Sequence, residues 1–456
     1  MSMTSNEFAA LSDRVQGPVF VPSDAGYDAE RTGFQTFGRR RPQVVVGAVD
    51  ADDVRAAVEF AAARELPVAV QATGHGIPAE GEGGLLITTN RMTGVQIVRE
   101  RRTAWFEAGV PWSAVIEAAA DAELAPLCGS APHVGAVSYT LGGGLGHLAR
   151  RYGYAADHVR TVDIVTADGR LRQITAESDP ELLWALCGAG GNFGVVTGVE
   201  VELMPVSSLY GGGLYFDAHL IGEVLRAWQQ WTRDLPEEMT SSVALVPFPD
   251  VPALPEPLRG RHVVHVRIAH VGDRAAGERL VEPLRAVGEP LIDSVREMPY
   301  REVGSICNDP VQPMPYLTAN AVLRDFDDAA IKTLLGLVGP DAPQQCVVEV
   351  RHLGGALSRP AGNCVGNRDA AYVFGVNSVV DDSTAAVARE LQNQVMREMA
   401  PWSTGGRFLN FLSGESADVD KVREAYDEAD YQRLVALKRT YDPTNRFRLN
   451  HNIPPA

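Results

Sequence analysis

The first regular alternation of apolar and polar positions begins at Pro42. Gln43-Val44-Val45-Val46-Gly47 is a short apolar run with the character of a buried strand. Asp50-Ala51-Asp52-Asp53 then places acids where a helix N-terminus favours them, and Val54, Ala57, Val58 and Ala61 follow at helical spacing. Pro67-Val68-Ala69-Val70 is the next strand, so this stretch predicts a β-α-β unit. The polar lead-in over residues 1–37 holds a short helix at 8–11 and a short strand at 19–21. Further on, Val95-Gln96-Ile97-Val98 and Ala104-Trp105-Phe106-Glu107-Ala108 flank a charged stretch and predict a hairpin. Pro111 suits the first turn of a helix whose apolar stripe is Trp112, Val115, Ile116 and Ala119. A second hairpin joins residues 162–166 to 171–174 through Asp168-Gly169. A short helix over 180–186 and the strand Val195-Val196-Thr197 follow.

The pattern changes near Pro205. Residues 207 to 405 alternate strands and helices. The strands are Val263-Val264-His265-Val266-Arg267-Ile268, Val347-Val348-Glu349-Val350-Arg351 and Tyr372-Val373-Phe374-Gly375-Val376. The helices span 221–232, 275–285 and 384–399, and the Pro-rich stretch 247–257 predicts an irregular loop. The length of 456 residues suggests two to four domains or lobes.

Composition narrows the function classes. Hydrophobic residues make up 45% and charged residues 22%, which is ordinary for a globular protein. The formal net charge of −17 argues against general nucleic-acid binding. The five cysteines are odd in number and form no C-x-x-C, which argues against a disulfide framework or a zinc site, and no metal centre is expected. The first residues show no basic and apolar leader, and no run reaches about 18 apolar residues. A cytoplasmic setting without a membrane span is the expectation, as a monomer or homodimer.

Candidate chemistry gathers at glycine. Gln71-Ala72-Thr73-Gly74-His75-Gly76-Ile77-Pro78 follows the strand at 67–70. It reads as a loop that brings N–H groups to a pyrophosphate, with His75 as nucleophile or covalent tether, or as a turn carrying a surface histidine. Two more clusters surround Gly142 and Gly190. Together the three suggest a large phosphate-bearing cofactor lying against the backbone. Gly144-Leu145-Gly146-His147-Leu148-Ala149 fits G-x-G-x-x-A, but the acid downstream, Asp168, sits in a tight hairpin turn rather than at the end of a parallel strand. A Rossmann site is therefore disfavoured. There is no G-x-S-x-G and no H-E-x-x-H. His265 reads as a strand residue, and Cys128 and Cys187 as inert small residues.

These clusters, in this order, resemble the flavin enzymes of the vanillyl-alcohol oxidase and p-cresol methylhydroxylase superfamily, most closely the berberine bridge enzyme-like branch. Gly74-His75 resembles the flavin-tethering loop, and residues 134–146 the second flavin loop. Trp184-Ala185-Leu186 through Asn192-Phe193-Gly194-Val195-Val196-Thr197 resembles the third motif. Tyr441-Asp442-Pro443, Phe447 and Asn450-His451-Asn452-Ile453-Pro454 resemble the C-terminal one. The resemblance implies an α+β fold: a two-lobed FAD-binding domain of the p-cresol methylhydroxylase type with an inserted α+β substrate domain of antiparallel sheet and helices. The FAD domain would cover 1–206 (core about 38–206), the substrate domain 207–405, and a returning segment 406–456.

It also implies an FAD-dependent oxidoreductase. Hydride would pass from a small alcohol, sugar, phenol or secondary-metabolite substrate to flavin N5, with dioxygen as acceptor. A dehydrogenase with another acceptor, or a flavin-bound cyclase or dehydratase without net redox change, stays open. His75 would be the covalent attachment point. Cofactor contacts would come from Gln71, Ala72, Thr73, Gly74, Gly76 and Pro78, then Gly129, Ser130, Val134, Gly135, Ser138, Tyr139, Gly142, Gly143, Gly144 and Gly146. Gly194, Val196, Asn410, Asn450 and Asn452 complete the set. The chain departs from the family twice. Ala131 stands where many members carry a second tethering cysteine, so one link is expected. Phe408 stands where family oxidases often place a tyrosine base, two residues before Asn410. Tyr139, inside the second loop, is the first substitute, with Tyr372 and Tyr316 behind it.

Overall fold

Strand Val44–Gly47 is buried at all four positions, which explains its uninterrupted apolar run. It belongs to a four-stranded sheet in the order Val19–Phe20, Val44–Gly47, Leu85–Thr88, Val68–Gln71. The last three strands are parallel, with Leu85–Thr88 between the two strands of the expected β-α-β unit. The intervening helix, Ala51–Ala63, starts where the acids predicted: the Asp50 carboxylate accepts the Asp53 N–H at 2.9 Å. These features come from a computed structural model that describes residues 5–38, 40–77 and 81–456.

A five-stranded antiparallel sheet packs beside the first. Its order is Leu171–Thr175, Val159–Thr166, Gly194–Glu202, Thr103–Glu107, Val95–Val98. Both predicted hairpins are present, and Gly169 takes the positive φ of 74° that its turn requires. Pro111 caps helix Trp112–Ala120 instead of entering its first turn. The second glycine cluster holds a helix that the sequence pattern does not announce, Ala136–Leu141. The G-x-G-x-x-A stretch leads only to the four-residue helix Ala149–Tyr152. The strand carrying residues 159–166, just before Asp168, pairs antiparallel on both sides, so the segment has no Rossmann topology.

Strands drawn from residues 208–379 form a large antiparallel sheet. Its main path runs Ile292–Asp293, Ser208–Asp217, His262–His270, Met239–Pro247, Val347–His352, Tyr372–Val379, Tyr316–Leu323. Helices Ile221–Thr232, Arg274–Arg285, Asp328–Val338 and Ala385–Met399 cover one face around Trp228, Phe326 and Phe374. The period-two rule then decides what the other face shows. Tyr372, Phe374 and Val376 point into the helical core, while Val373, Gly375, Asn377 and Val379 line a cavity. Val348 and Val350 are core, while Val347, Glu349 and Arg351 line the cavity.

The final helix, Glu428–Tyr441, carries the tail back to the glycine loops. Lys438 and Asp442 are wholly buried and 2.8 Å apart, and Lys438 Nζ also donates to the carbonyls of Asn192 and Phe447. Asn192 reciprocates with bonds to the backbone of His451 and Ile453. No helix among the described residues is long and apolar enough to cross a membrane.

Candidate active site

A cavity of about 520 Å³ lies between the glycine loops and the helix-free face of the large sheet. That volume suits a ligand of cofactor or drug size. One wall is made by Gln71, Ala72, Gly74, His75 and Gly76, by Gly129, Ser130, Val134, Ser138, Tyr139 and Gly142, and by Gly194, Val196, Asn410 and Asn450. The facing wall carries Tyr316, Thr318, Glu349, Arg351, Gly375 and Asn377.

The loop after strand Val68–Gln71 is shaped around His75. Gly74 has φ +71°, and a Cβ there would lie 2.4 Å from the Gly33 backbone, so only glycine fits. Phe34 stacks on His75 with ring centroids 4.0 Å apart, and His133 lies 4.9 Å away. His75 Nδ1 is 2.7 Å from Thr73 Oγ1, which also accepts the Gly135 N–H at 3.1 Å. His75 Nε2 is buried and meets no hydrogen-bond partner. Burial, with a smaller push from His133, drops the His75 pKa to about 3, so the imidazole is neutral.

Asn410 bridges the returning segment and the second loop. Its Oδ1 accepts the Gly144 N–H and its Nδ2 donates to the Tyr139 carbonyl, each at 3.0 Å. Tyr139 packs edge-on against Trp112, with its ring at the cavity border. Its hydroxyl is buried without a partner, so near Gly146 that a Cβ there would sit 3.0 Å from it. Burial, reinforced by Cys128, raises this phenol well above its usual pKa.

On the sheet side, Glu349 joins two arginines. Its Oε1 pairs with Arg267 and accepts from Ser242, and its Oε2 accepts from Arg351 at 2.8 Å. Burial alone would raise this carboxyl, but Arg351 and Arg267 outweigh it and hold the pKa at about 2. Arg351 also lies over the Phe411 ring at 4.9 Å.

Comparison with known proteins fits this geometry. Residues 42–175 match the family described as FAD binding domain, and residues 407–454 match that described as berberine and berberine like. The chain is 30% identical to (R)-6-hydroxynicotine oxidase of Paenarthrobacter nicotinovorans over 97% of each chain. It is an FAD-linked oxidoreductase of the berberine bridge enzyme-like branch. Among solved structures, 6-hydroxy-D-nicotine oxidase from Arthrobacter nicotinovorans superposes with a TM-score of 0.83 at 26% identity, covering 97% of this chain and 98% of that one. Xylooligosaccharide oxidase from Myceliophthora thermophila, at 18% identity, shares the fold with a TM-score of 0.86 over 99% of each chain.

The residues of this flavoenzyme fit FAD. Glycine backbone, an orphaned buried His75 nitrogen and the unpartnered Oδ1 of Asn450 all meet at the cavity or its rim. Several expected contacts stand elsewhere. Thr73 and Gly135 act behind the wall, through the hydrogen bond to each other. Gly143, Gly144, Gly146 and Asn452 lie off the cavity lining. Gly146 is small because a Cβ would meet the Cys128 carbonyl at 1.8 Å, and Gly144 because it packs on Tyr139. Pro78 lies outside the described residues.

The two leading tyrosines are corrected as bases. Tyr139 keeps its hydroxyl under the loop, away from any proton acceptor. Tyr372 is on the helical side of the sheet, its hydroxyl 2.9 Å from Thr232. Tyr316 lines the facing wall of the cavity, where its hydroxyl accepts the Gly76 N–H at 3.3 Å. Tyr372→Phe is therefore expected to leave the rate of flavin reduction unchanged and to cost about 1 kcal/mol of stability. Stopped-flow reduction and urea denaturation check both halves. Phe408 packs against Tyr154 and Phe411, off the cavity lining.

Sequence reasoning missed Phe34, His133, Arg267, Glu349 and Arg351 as site residues. The signal for the last three was present: charges at i and i+2 inside apolar strands share one face, and that face cannot be core.

Proposed function

We propose that this enzyme is an oxidase holding FAD by one covalent bond, from His75 Nε2 to the 8α carbon of the flavin. The observation that carries this reading is the His75 ring: neutral, buried in the cavity wall, with Nε2 unpartnered. With Nδ1–H donating to Thr73, Nε2 keeps its lone pair for the bond. A second link lacks a thiol. Ala131 lines the cavity, while Cys128 is buried against Tyr300, its pKa pushed up to about 12 by burial. Five free, buried cysteines suit a reducing cytoplasm.

When bound, FAD accepts a hydride at N5 and passes the electron pair to dioxygen, giving hydrogen peroxide. The chain's own part is to seat a small substrate between the flavin loops and the face bearing Tyr316, Glu349, Arg351 and Asn377. The titratable groups there favour oxidation beside an amine nitrogen over oxidation of an alcohol. An alcohol must lose its O–H proton as hydride departs, and the sheet face supplies a poor acceptor. Burial raises the Tyr316 phenol, and Glu349, with a pKa of about 2, is too weak a base. A neutral amine needs no such base, because its lone pair fills in as hydride leaves. Arg267 and Arg351 pair with Glu349, and Arg267 with Asp309 too, so these carboxylates are compensated and hold no free negative charge toward that nitrogen. The name of the relative at 30% identity, an oxidase of 6-hydroxynicotine, supports the same class.

Anaerobic mixing with a panel of cyclic and benzylic amines, alcohols and sugars tests the reading. Amines should bleach the flavin, and air should restore its colour with one hydrogen peroxide per substrate. Bleaching by alcohols or sugars alone would remove the amine assignment. A reduced flavin that air does not reoxidise would remove the oxidase.

A further inference from the structure

His133 is unused by the chemistry above, yet it stands at the tether. Its ring centroid is 4.9 Å from that of His75 and 5.1 Å from that of Phe34, and its Nε2 is buried without a partner. The ring borders two spaces. One is the cofactor cavity. The other is an outer groove lined also by Asp28, Thr32, Asn90 and Val311, which Thr73 and His75 reach as well. A group so placed can take a proton inside and release it outside. Its neighbours are poorly suited to that role. Phe34 has no titratable atom, Thr73 is held by His75 and Gly135, and Tyr316 is a buried phenol. Burial lowers the basicity of His133 while the Asp309 carboxylate raises it, and burial prevails, leaving a neutral imidazole.

We propose that His133 is the base that attaches the cofactor to His75. The inference rests on the single-tether reading. The hydrogens of the 8α-methyl carbon are weakly acidic, so bond formation needs a base beside that carbon. A C–H bond of the methyl breaks and its proton goes to His133. A bond forms between His75 Nε2 and the same carbon, and the proton on Nδ1 departs past Thr73. The electron pair left by the C–H bond reduces the flavin. Dioxygen then takes that pair with two protons, one from the methyl group and one from the imidazole, and becomes hydrogen peroxide. The loop thus holds a nucleophile in His75, a positioning residue in Thr73 and a base in His133.

The test reads attachment, not turnover. Wild type, His133→Ala and His133→Gln are purified, their bound flavin is measured by absorbance, and the share staying with acid-denatured chain is measured by in-gel fluorescence. Chains made without flavin are then given FAD in air, and the covalent fraction is followed in time. Both variants should bind FAD but release most of it on denaturation, with attachment slowed about a hundredfold. Added imidazole should restore part of the rate to His133→Ala, which a merely structural role would not allow. Attachment at the wild-type rate in either flavin-bound variant overturns the proposal. If His133→Ala takes up no flavin, His133→Gln, which keeps size and polarity without a base, decides alone. If it too takes up none, His133 serves binding and the proposal falls. Full release of flavin by denatured wild type would refute the tether itself, a different result from wild-type retention with unslowed variants.

Discussion

His75→Ala enzyme is expected to yield a colourless pellet and a yellow supernatant when denatured, where wild type keeps its colour in the pellet. A tether makes occupancy permanent, so removing it returns occupancy to a dissociation constant and to the free FAD present. The change is also expected to slow flavin reduction at least about tenfold, or about 1.4 kcal/mol of barrier, because an untethered flavin is a weaker oxidant. Stopped-flow reduction of FAD-saturated variant measures that, and redox titration should show a lower midpoint. The fold should survive. Thr73 still accepts from Gly135, and His75 contributes no charge whose loss must be compensated. Urea denaturation of the two flavin-free chains should agree within about 1 kcal/mol. Flavin retained by His75→Ala after denaturation would move the link to another residue, with His133 the first to map.

The glycine clusters made much of the cofactor wall legible in the sequence. A loop that approaches a ligand through backbone needs residues without side chains, so composition itself carries the message at Gly76 and Gly190, which line the cavity and where a Cβ would meet no other segment closer than 3.9 Å. The same rule overreaches. Gly144 and Gly146 make room for Tyr139 and for the Cys128 carbonyl, and a string of letters cannot tell a ligand from a neighbouring segment. Helices 221–232 and 384–399 were legible because their apolar stripes meet the large sheet. The strands Ser208–Asp217 and Met239–Pro247 were not, because Gly211-Gly212-Gly213 and Ser241-Ser242 break the alternation. The tyrosines show the deeper limit. Tyr372 and Tyr316 look alike in sequence, but strand register sends one hydroxyl to Thr232 and the other to the Gly76 N–H. Register follows from pairing across hundreds of residues, so the face a side chain takes is a property of the folded sheet.

Glu349→Ala is expected to be the most damaging single change on the substrate side. The carboxylate lies between Arg267 and Arg351, all three at least four-fifths buried, so removing it strips Arg351 of its carboxylate partner and leaves Arg267 with Asp309, 3.9 Å away. Breaking such a pair by deleting one partner costs about 3–5 kcal/mol. Glu349→Gln keeps an accepting oxygen and should lose less. The sign of the pH dependence follows from the depressed pKa. Glu349 sits at about 2 when folded, against about 4.3 for an ordinary glutamate. Its contribution is therefore complete above about pH 4.3 and is lost as pH falls toward 2. The difference of about two units corresponds to roughly 3 kcal/mol, the same size as the expected mutational loss. Urea denaturation of wild type between pH 2 and 7 should show an acid-side decline that is visibly shallower in Glu349→Gln. Because Arg351 loses its partner beside the cavity, the same variant should bind substrate poorly while still holding flavin. Equal stability and an unchanged acid slope in Glu349→Gln would show instead that water screens the three charges and that the sheet face is wetter than its packing implies.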